Sequence, residues 1–325
     1  ADGKLLWWYP AGAQVRGGLV GRKDGGVIMG VMDGAVLAVV PPDANGQAAP
    51  DHPMASASKG VRRMGRRRVG PLLPLPDGGF VVAGADGVVR AVGGDGWPVW
   101  TLAAGRERLG ALVQHGEDLY FSDNRGSLLC LRDGRLRFRL RLDRLPLTDP
   151  ALLSSAAGVR ILVGSAEGRV WAVTPQGRVA WFHAGANAVS RAPVALGNKL
   201  ALVVMGDEVA GVDPSGNELW SHKLPAGVVA GPVAWAGGAA VADGLGGLHL
   251  ISAAGAVTWT RDLGSPALDL RASLDGGAIW AATTAGRILA HARDGQPLVA
   301  LSPLASPTRL VPLASGALLV ASRGG

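Results

Sequence analysis

The side chains that could do chemistry are few in this sequence, and they are not arranged for it. Six histidines are scattered along 325 residues. No HExxH places two of them on one helix face, as a zinc hydrolase requires. No GxSxG elbow presents a nucleophilic serine, and no GxxxxGKS/T loop offers its amides to a phosphate. Cys130 is the one cysteine, which excludes a disulfide and a cysteine-based metal centre. It stands in the apolar run Leu128–Leu131 and reads as a small buried hydrophobe rather than a reactive thiol. Asp213, Asn217 and Glu218 carry the oxygen ligands calcium takes, but not at the spacing of a calcium-binding loop. With Pro214 and Gly216 among them, they read as turn residues. His183 and His222 each follow a tryptophan by two residues, a shared position that points to structure. No catalytic residue, metal ligand or cofactor-binding residue is expected.

Positive charge is the chemistry that remains. Lys59, Arg62, Arg63, Arg66, Arg67 and Arg68 place six cations in ten residues with no acid among them. Arg135, Arg137, Arg139 and Arg141 alternate with Leu136, Phe138, Leu140 and Leu142. A period of two puts the four arginines on one face of a strand and the apolar residues on the other. The simplest reading of such a strand is protection of a sheet edge against aggregation, and that of the 59–68 run is a solvated loop. Beyond that, both are candidate contacts for an acidic protein partner or an anionic membrane surface. The formal charge of +7 and the isoelectric point near 10.3 permit either. Nucleic acid is not expected, because no recognised binding module accompanies the charge.

The elements that position these residues are short and numerous. The chain holds 50 Gly and 21 Pro, with 48% hydrophobic and 18% charged residues, a turn-dense and well-buried composition. No apolar run approaches the ~18 residues of a membrane span. The stretch Val209–His222 shows the unit: an apolar run, the turn Asp213-Pro214-Ser215-Gly216, then Leu219 and Trp220. Apolar–turn–apolar reads as a β-hairpin, and this one recurs. Turns near residues 2, 45, 95, 133, 176, 215, 254 and 294 each precede a slot five residues on. The slot holds Trp7, Trp100, Phe138, Trp181, Trp220 and Trp259 in six of the copies. The residues around each turn divide into four apolar segments joined by Gly-rich turns, and a period near 40 residues is the signature of propeller blades. The expectation is therefore an all-β, eight-bladed propeller of four-stranded antiparallel blades, one domain over residues 1–325 with a basic insertion at 51–68. The aromatic slots are expected to dock neighbouring blades, since an indole brings a large flat apolar contact. Thr308–Leu313 and Ala317–Ser322 read as the first two strands of an eighth blade, which the N-terminal strand around Trp7 would join to close the ring. Its missing third strand would come from sequence outside these residues, or that blade has three strands.

Val212–Trp220, Val173–Trp181 and Ala1–Trp7 resemble the repeats of PQQ-like (pyrroloquinoline-quinone-type) β-propellers. The resemblance covers essentially the whole chain and implies blades docked by tryptophan. That superfamily holds quinone-dependent dehydrogenases and non-enzymatic scaffolds. The dehydrogenases carry an adjacent cysteine pair and calcium ligands over the funnel, and neither is present here. In size and lack of decoration the chain is closer to the BamB-like periplasmic interaction propellers. The resemblance implies a non-catalytic protein–protein scaffold in a bacterial cell-envelope assembly, periplasmic or at the outer membrane. The alternatives are a propeller enzyme binding a quinone or small molecule in its central funnel, and the ectodomain or sensor domain of a longer protein.

Overall fold

The computed structural model describes residues 6–11, 15–21, 26–31, 35–40, 56–57, 62–63, 69–75, 79–93, 97–105, 108–302, 307–313 and 316–322. Every element among them is a β-strand, and every ladder is antiparallel between strands adjacent in sequence or nearly so. Blade 1 is built on Val15–Gly21, Val27–Val31 and Ala35–Val40. Blades 2 to 7 are four-stranded meanders that begin at Val69, Val113, Ala151, Val194, Val228 and Ala267. A two-stranded sheet, Pro307–Pro312 with Leu318–Ser322, follows blade 7.

The propeller thus has seven blades, not eight. The repeating turn marks the link between a third and a fourth strand, as the turns near 133, 176, 215, 254 and 294 show. Asp2-Gly3, Asn45-Gly46 and Asp95-Gly96 lie outside the described residues. A hairpin signature counts half-blades, so two separated halves at the chain ends add one to the tally without making a whole sheet. At the ring closure Trp7, Tyr9 and Ala11 pack with Val311, Leu319 and Ala321 in one apolar cluster. The strand Pro307–Pro312 touches the first strands of both blade 7 and blade 1.

Stacking decides the strand patterns. A blade's second strand is covered on both faces, so its apolar residues run in succession rather than alternating, with polar ones kept to the strand ends. Phe80–Gly84, Asp118–Ser122, Leu200–Met205, Gly238–Asp243 and Ala278–Thr283 are buried throughout. Outer strands such as Pro98–Ala103, Val179–Ala184 and Glu218–Lys223 are exposed at every second residue of their second halves. The cores lie between blades: one cluster joins Leu129 and Phe121 of blade 3 to Val81 and Val89 of blade 2. Another joins Leu248 and Trp259 of blade 6 to Ile279 and Leu289 of blade 7.

A bulge sets the aromatic slot. In blades 2 to 7 the third and fourth strands slip by one residue just before the slot. The slot then faces Ala91, Cys130, Ala172, Gly211, Leu250 or Ala290 on the third strand. Bulges bend and twist an outer strand, and the mostly small residue opposite leaves room for the ring. The ring reaches the next blade's turn glycine, as Trp181 meets Gly216 and Trp220 meets Gly255. Trp181 Nε1 donates to Pro214 O at 2.7 Å, and Trp220 Nε1 donates to Ala253 O at 3.0 Å. The turn glycine therefore has two duties. Gly255 adopts φ +86°, and a Cβ there would lie 2.6 Å from the Trp220 ring. Gly255→Ala combines left-handed strain with overpacking, each costing about 1–3 kcal/mol. The expected loss is roughly 2–4 kcal/mol by urea unfolding; a loss below about 0.5 kcal/mol would show that the indole moves aside freely.

Candidate interaction face

The arginine strand is the outer strand of blade 3, Arg135–Arg141. Its bulge opposes Leu131 to Leu136 and Cys130 to Phe138, so Arg137 is the extra residue. The strict alternation expected across the strand is therefore broken. Arg137, Arg139 and Arg141 share a face, Phe138 and Leu140 turn into the core with Leu128 and Ile161, and Leu136 is left 47% exposed. Arg135 lies beyond the bulge, opposite Arg132.

Ion pairing on this blade is lopsided. Arg132 holds Asp118 through Nε to Oδ1 and Nη2 to Oδ2, both at 2.8 Å. Its guanidinium keeps the Asp118 carboxyl below the ordinary value despite the opposing push of burial. Arg137 shares that carboxylate at 3.9 Å. Arg139 donates to the carbonyl of Ala104 in blade 2, and Arg141 Nε donates to Asp143 O at 2.6 Å. Neither these two nor Arg135 has a described carboxylate within salt-bridge reach.

The strand ends at an open recess of about 610 Å³ lined by Arg141, Leu142, Asp143, Arg144, Glu167 and Arg169. Both of its carboxylates are already engaged. Arg169 pairs with Glu167 and lies 3.5 Å from Asp143 Oδ2. Asp143 Oδ1 accepts from Arg144 N at 2.6 Å. Burial pushes the Asp143 carboxyl up, but the Ser165 hydroxyl, the Arg144 and Leu145 amides and Arg169 outweigh it and hold it low. Arg141 and Arg144 are left to give the recess a net positive charge.

The basic run divides. Arg62–Arg63 forms a short strand on the edge of blade 1, opposite Val36 and Ala35, where a solvated loop was expected. Lys59, Arg66, Arg67 and Arg68 lie outside the described residues, as does most of the 51–68 insertion. The aromatic slots sit between blades: Trp100 against Gly134, Phe138 against Gly177 and Trp259 against Gly295. Asp213 is consumed by its turn, accepting from Ser215 N at 2.8 Å and from Asn217 N and Nδ2 at 2.9 Å each. His183 Nε2 lies 3.3 Å from Glu218 Oε2 in the next blade. Among the described residues no group of three His, Cys, Asp or Glu is placed to hold a metal, and no helix is long and apolar enough to cross a membrane.

Cys130 is fully buried. Burial, and then the nearby Asp118 charge, push its thiol up to about 12. A thiol reagent at pH 8 should therefore leave the folded protein unlabelled and react only on unfolding. Labelling at the rate of free cysteine under native conditions would contradict the packed position.

One constellation escaped sequence reasoning. His249 Nε2 lies 3.0 Å from Asp243 Oδ2, and its Nδ1 lies 2.9 Å from Thr260 Oγ1. The order hydroxyl, imidazole, carboxylate is that of a nucleophile relay. Here it spans three strands of one blade, and the Asp243 Oδ1 is spent on Leu245 N and Gly247 N at 2.9 and 2.8 Å. Its geometry ties the Asp243–Gly247 turn to the outer strand. Nothing local in the sequence marks it, because the three residues meet only through strand register.

Comparison with known proteins follows the same lines. The family model described as outer membrane protein assembly factor BamB matches residues 85–229. No curated protein sequence matches significantly. Among solved structures, BamB from Moraxella catarrhalis superposes at TM-score 0.65 with 17% identity, over 89% of this chain and 84% of that one. Sqt1 from Saccharomyces cerevisiae superposes at 0.78 with 13% identity, over 99% and 97%. The WD40 propeller domain of Doa1 superposes at 0.62 with 13% identity, over 96% and 90%. Identities this low speak for the fold alone, whereas the family match falls on the repeats that carry the turn-and-tryptophan signature. The chain is a β-propeller whose residues 85–229 are similar to the BamB family of propeller repeats.

Proposed function

We propose that this propeller is a non-catalytic protein-interaction scaffold of the bacterial cell envelope, an accessory to outer-membrane assembly. The observation that carries the reading is the family match over residues 85–229, described as an outer membrane assembly factor. The architecture suits the role. Docked blades make a stiff ring whose loops and outer strands are free to differ, and fold alone selects no chemistry. The arginine strand of blade 3 and the basic run at 59–68 are the proposed partner contacts, toward an acidic or membrane-associated protein. In the native host, the chain should fractionate with the envelope. A photo-crosslinker placed at Arg144 should there capture an outer-membrane assembly component; a wholly cytosolic distribution would overturn the localisation. Titration with pyrroloquinoline quinone and calcium should leave the melting temperature and visible spectrum unchanged. A new visible band would replace the scaffold reading with a funnel-binding enzyme.

A further inference from the structure

The described outer strands of blades 2 to 7 are not equivalent, and their difference says what blade 3 is for. Pro98–Ala103, Val179–Ala184 and Pro297–Leu301 carry no Lys, Arg, Asp or Glu at all, and Glu218–Lys223 and Val257–Asp262 mix both signs. If charge served only to keep edges from aggregating, those strands would need it as much. Arg135–Arg141 alone among the described outer strands of blades 2 to 7 concentrates four cations of one sign. Among the described residues its outer backbone edge pairs with no strand, and its one ladder is to Ser127–Arg132. Three of the four, Arg135, Arg139 and Arg141, have no carboxylate among the described residues, and the strand runs directly into the recess with Arg144 beyond.

From this we infer that the outer edge of Arg135–Arg141 is a docking site for an extended acidic segment of a partner protein, added as a further strand to blade 3. The inference rests on the scaffold reading and names its partner chemistry. The free edge offers amides and carbonyls that only another backbone satisfies in series. Alternate side chains on a strand repeat at about 6.8 Å. Carboxylates at every second residue of the added strand therefore meet Arg139 and Arg141 in turn, with Arg137, which also faces Asp118, next along the same face. Leu136, exposed by the bulge, gives an apolar contact at one end of the strand. At the other end the recess receives the last carboxylate between Arg141 and Arg144. Such a contact is steered by charge and weakened by salt.

The test uses the whole chain and a fluorescent alternating threonine–glutamate peptide of about ten residues, followed by anisotropy. Saturable binding is expected, weakening at least about fivefold between roughly 0.05 and 0.3 M salt. It should weaken about tenfold or more in the triple variant Arg135→Ser, Arg139→Ser, Arg141→Ser. These side chains are exposed, and an unchanged melting temperature checks that the variant folds; should it not, Arg139→Gln alone serves, with a smaller loss. Strand addition itself is read by two further measurements. Amide exchange over 135–141 should slow on binding, and the same peptide with alternate backbone amides methylated should lose binding. Equal binding of the methylated peptide, or of the triple variant, overturns the site. So does tighter binding of a thymidine oligonucleotide of equal charge, which would mean a general polyanion surface. If the peptide fails while the chain still fractionates with the envelope, the scaffold stands and the edge is not its contact.

Discussion

Replacing Trp259 with alanine is expected to remove about 3–5 kcal/mol of stability, the range for emptying a buried aromatic site. This ring is the most enclosed of the slot residues, 8% exposed, and it makes one polar contact to the neighbouring blade and two ring contacts within its own. Its Nε1 donates to Arg293 O at 2.9 Å, a carbonyl the variant would leave without that donor. Trp235 meets it edge to face at 6.2 Å and 78°, and the Arg261 guanidinium lies 5.7 Å over it. Edge-to-face pairing and a cation over the ring each add about 0.5–1.5 kcal/mol to area burial. Guanidine unfolding followed by tryptophan fluorescence would measure the loss. A value under about 1 kcal/mol would mean that the blades are held by their middle strands and that the docking rings are dispensable. Trp220 is half-buried, and Trp220→Ala should stand lower in the same range.

Asp243→Ala should be the most damaging change to a polar residue. The carboxylate is almost completely buried and serves three donors: Leu245 N, Gly247 N and His249. Truncation leaves both turn amides and the buried imidazole without their acceptor, at about 2–4 kcal/mol. Its pH signature separates it from a packing loss. Burial pushes the Asp243 carboxyl up, but the bond to His249 and the two turn amides outweigh it and hold the group below its ordinary 3.8. A carboxyl depressed on folding contributes stability that is complete above the unfolded value and fades as pH falls through the folded one. The gap between wild type and Asp243→Ala is therefore expected to be constant near neutrality and to narrow in acid below about pH 4. A gap that stays the same down to pH 2 would assign the effect to lost volume instead.

Much of the fold was legible in the sequence because its repeat is written in residues with narrow preferences. A glycine held at positive φ in a tight turn and a large aromatic at a set offset admit one local geometry, and Gly216 with Trp220 shows both. The apolar segments between the turns were readable as strands, but that a run such as Leu200–Met205 is covered on both faces follows only from the stacking of blades. What was not legible depends on neighbours in space. The bulge beside Phe138 cannot be seen in an alternating Arg–Leu pattern, yet it moves Leu136 to the surface and separates Arg135 from Arg137. His249, Asp243 and Thr260 are polar residues in unrelated segments until strand register brings them together. Arg62–Arg63 resembled any basic loop, and only its pairing with Ala35–Val36 makes it part of a blade.

The sequence by itself determined that the protein is a ring of antiparallel blades docked by tryptophan, because turn chemistry and hydrophobic period act over a few residues and repeat. It also marked out where the charge lies. Only the tertiary structure decided that there are seven blades, with an N-terminal segment packed on a C-terminal hairpin, because the count depends on which half-blades find a sheet. It decided too which arginines keep no carboxylate. Asp118 is spent on Arg132 and Arg137, and the recess acids are spent on Arg169, so the uncompensated charge gathers on one exposed edge. Ion pairing is settled by distance across strands, and no spacing along the chain records it.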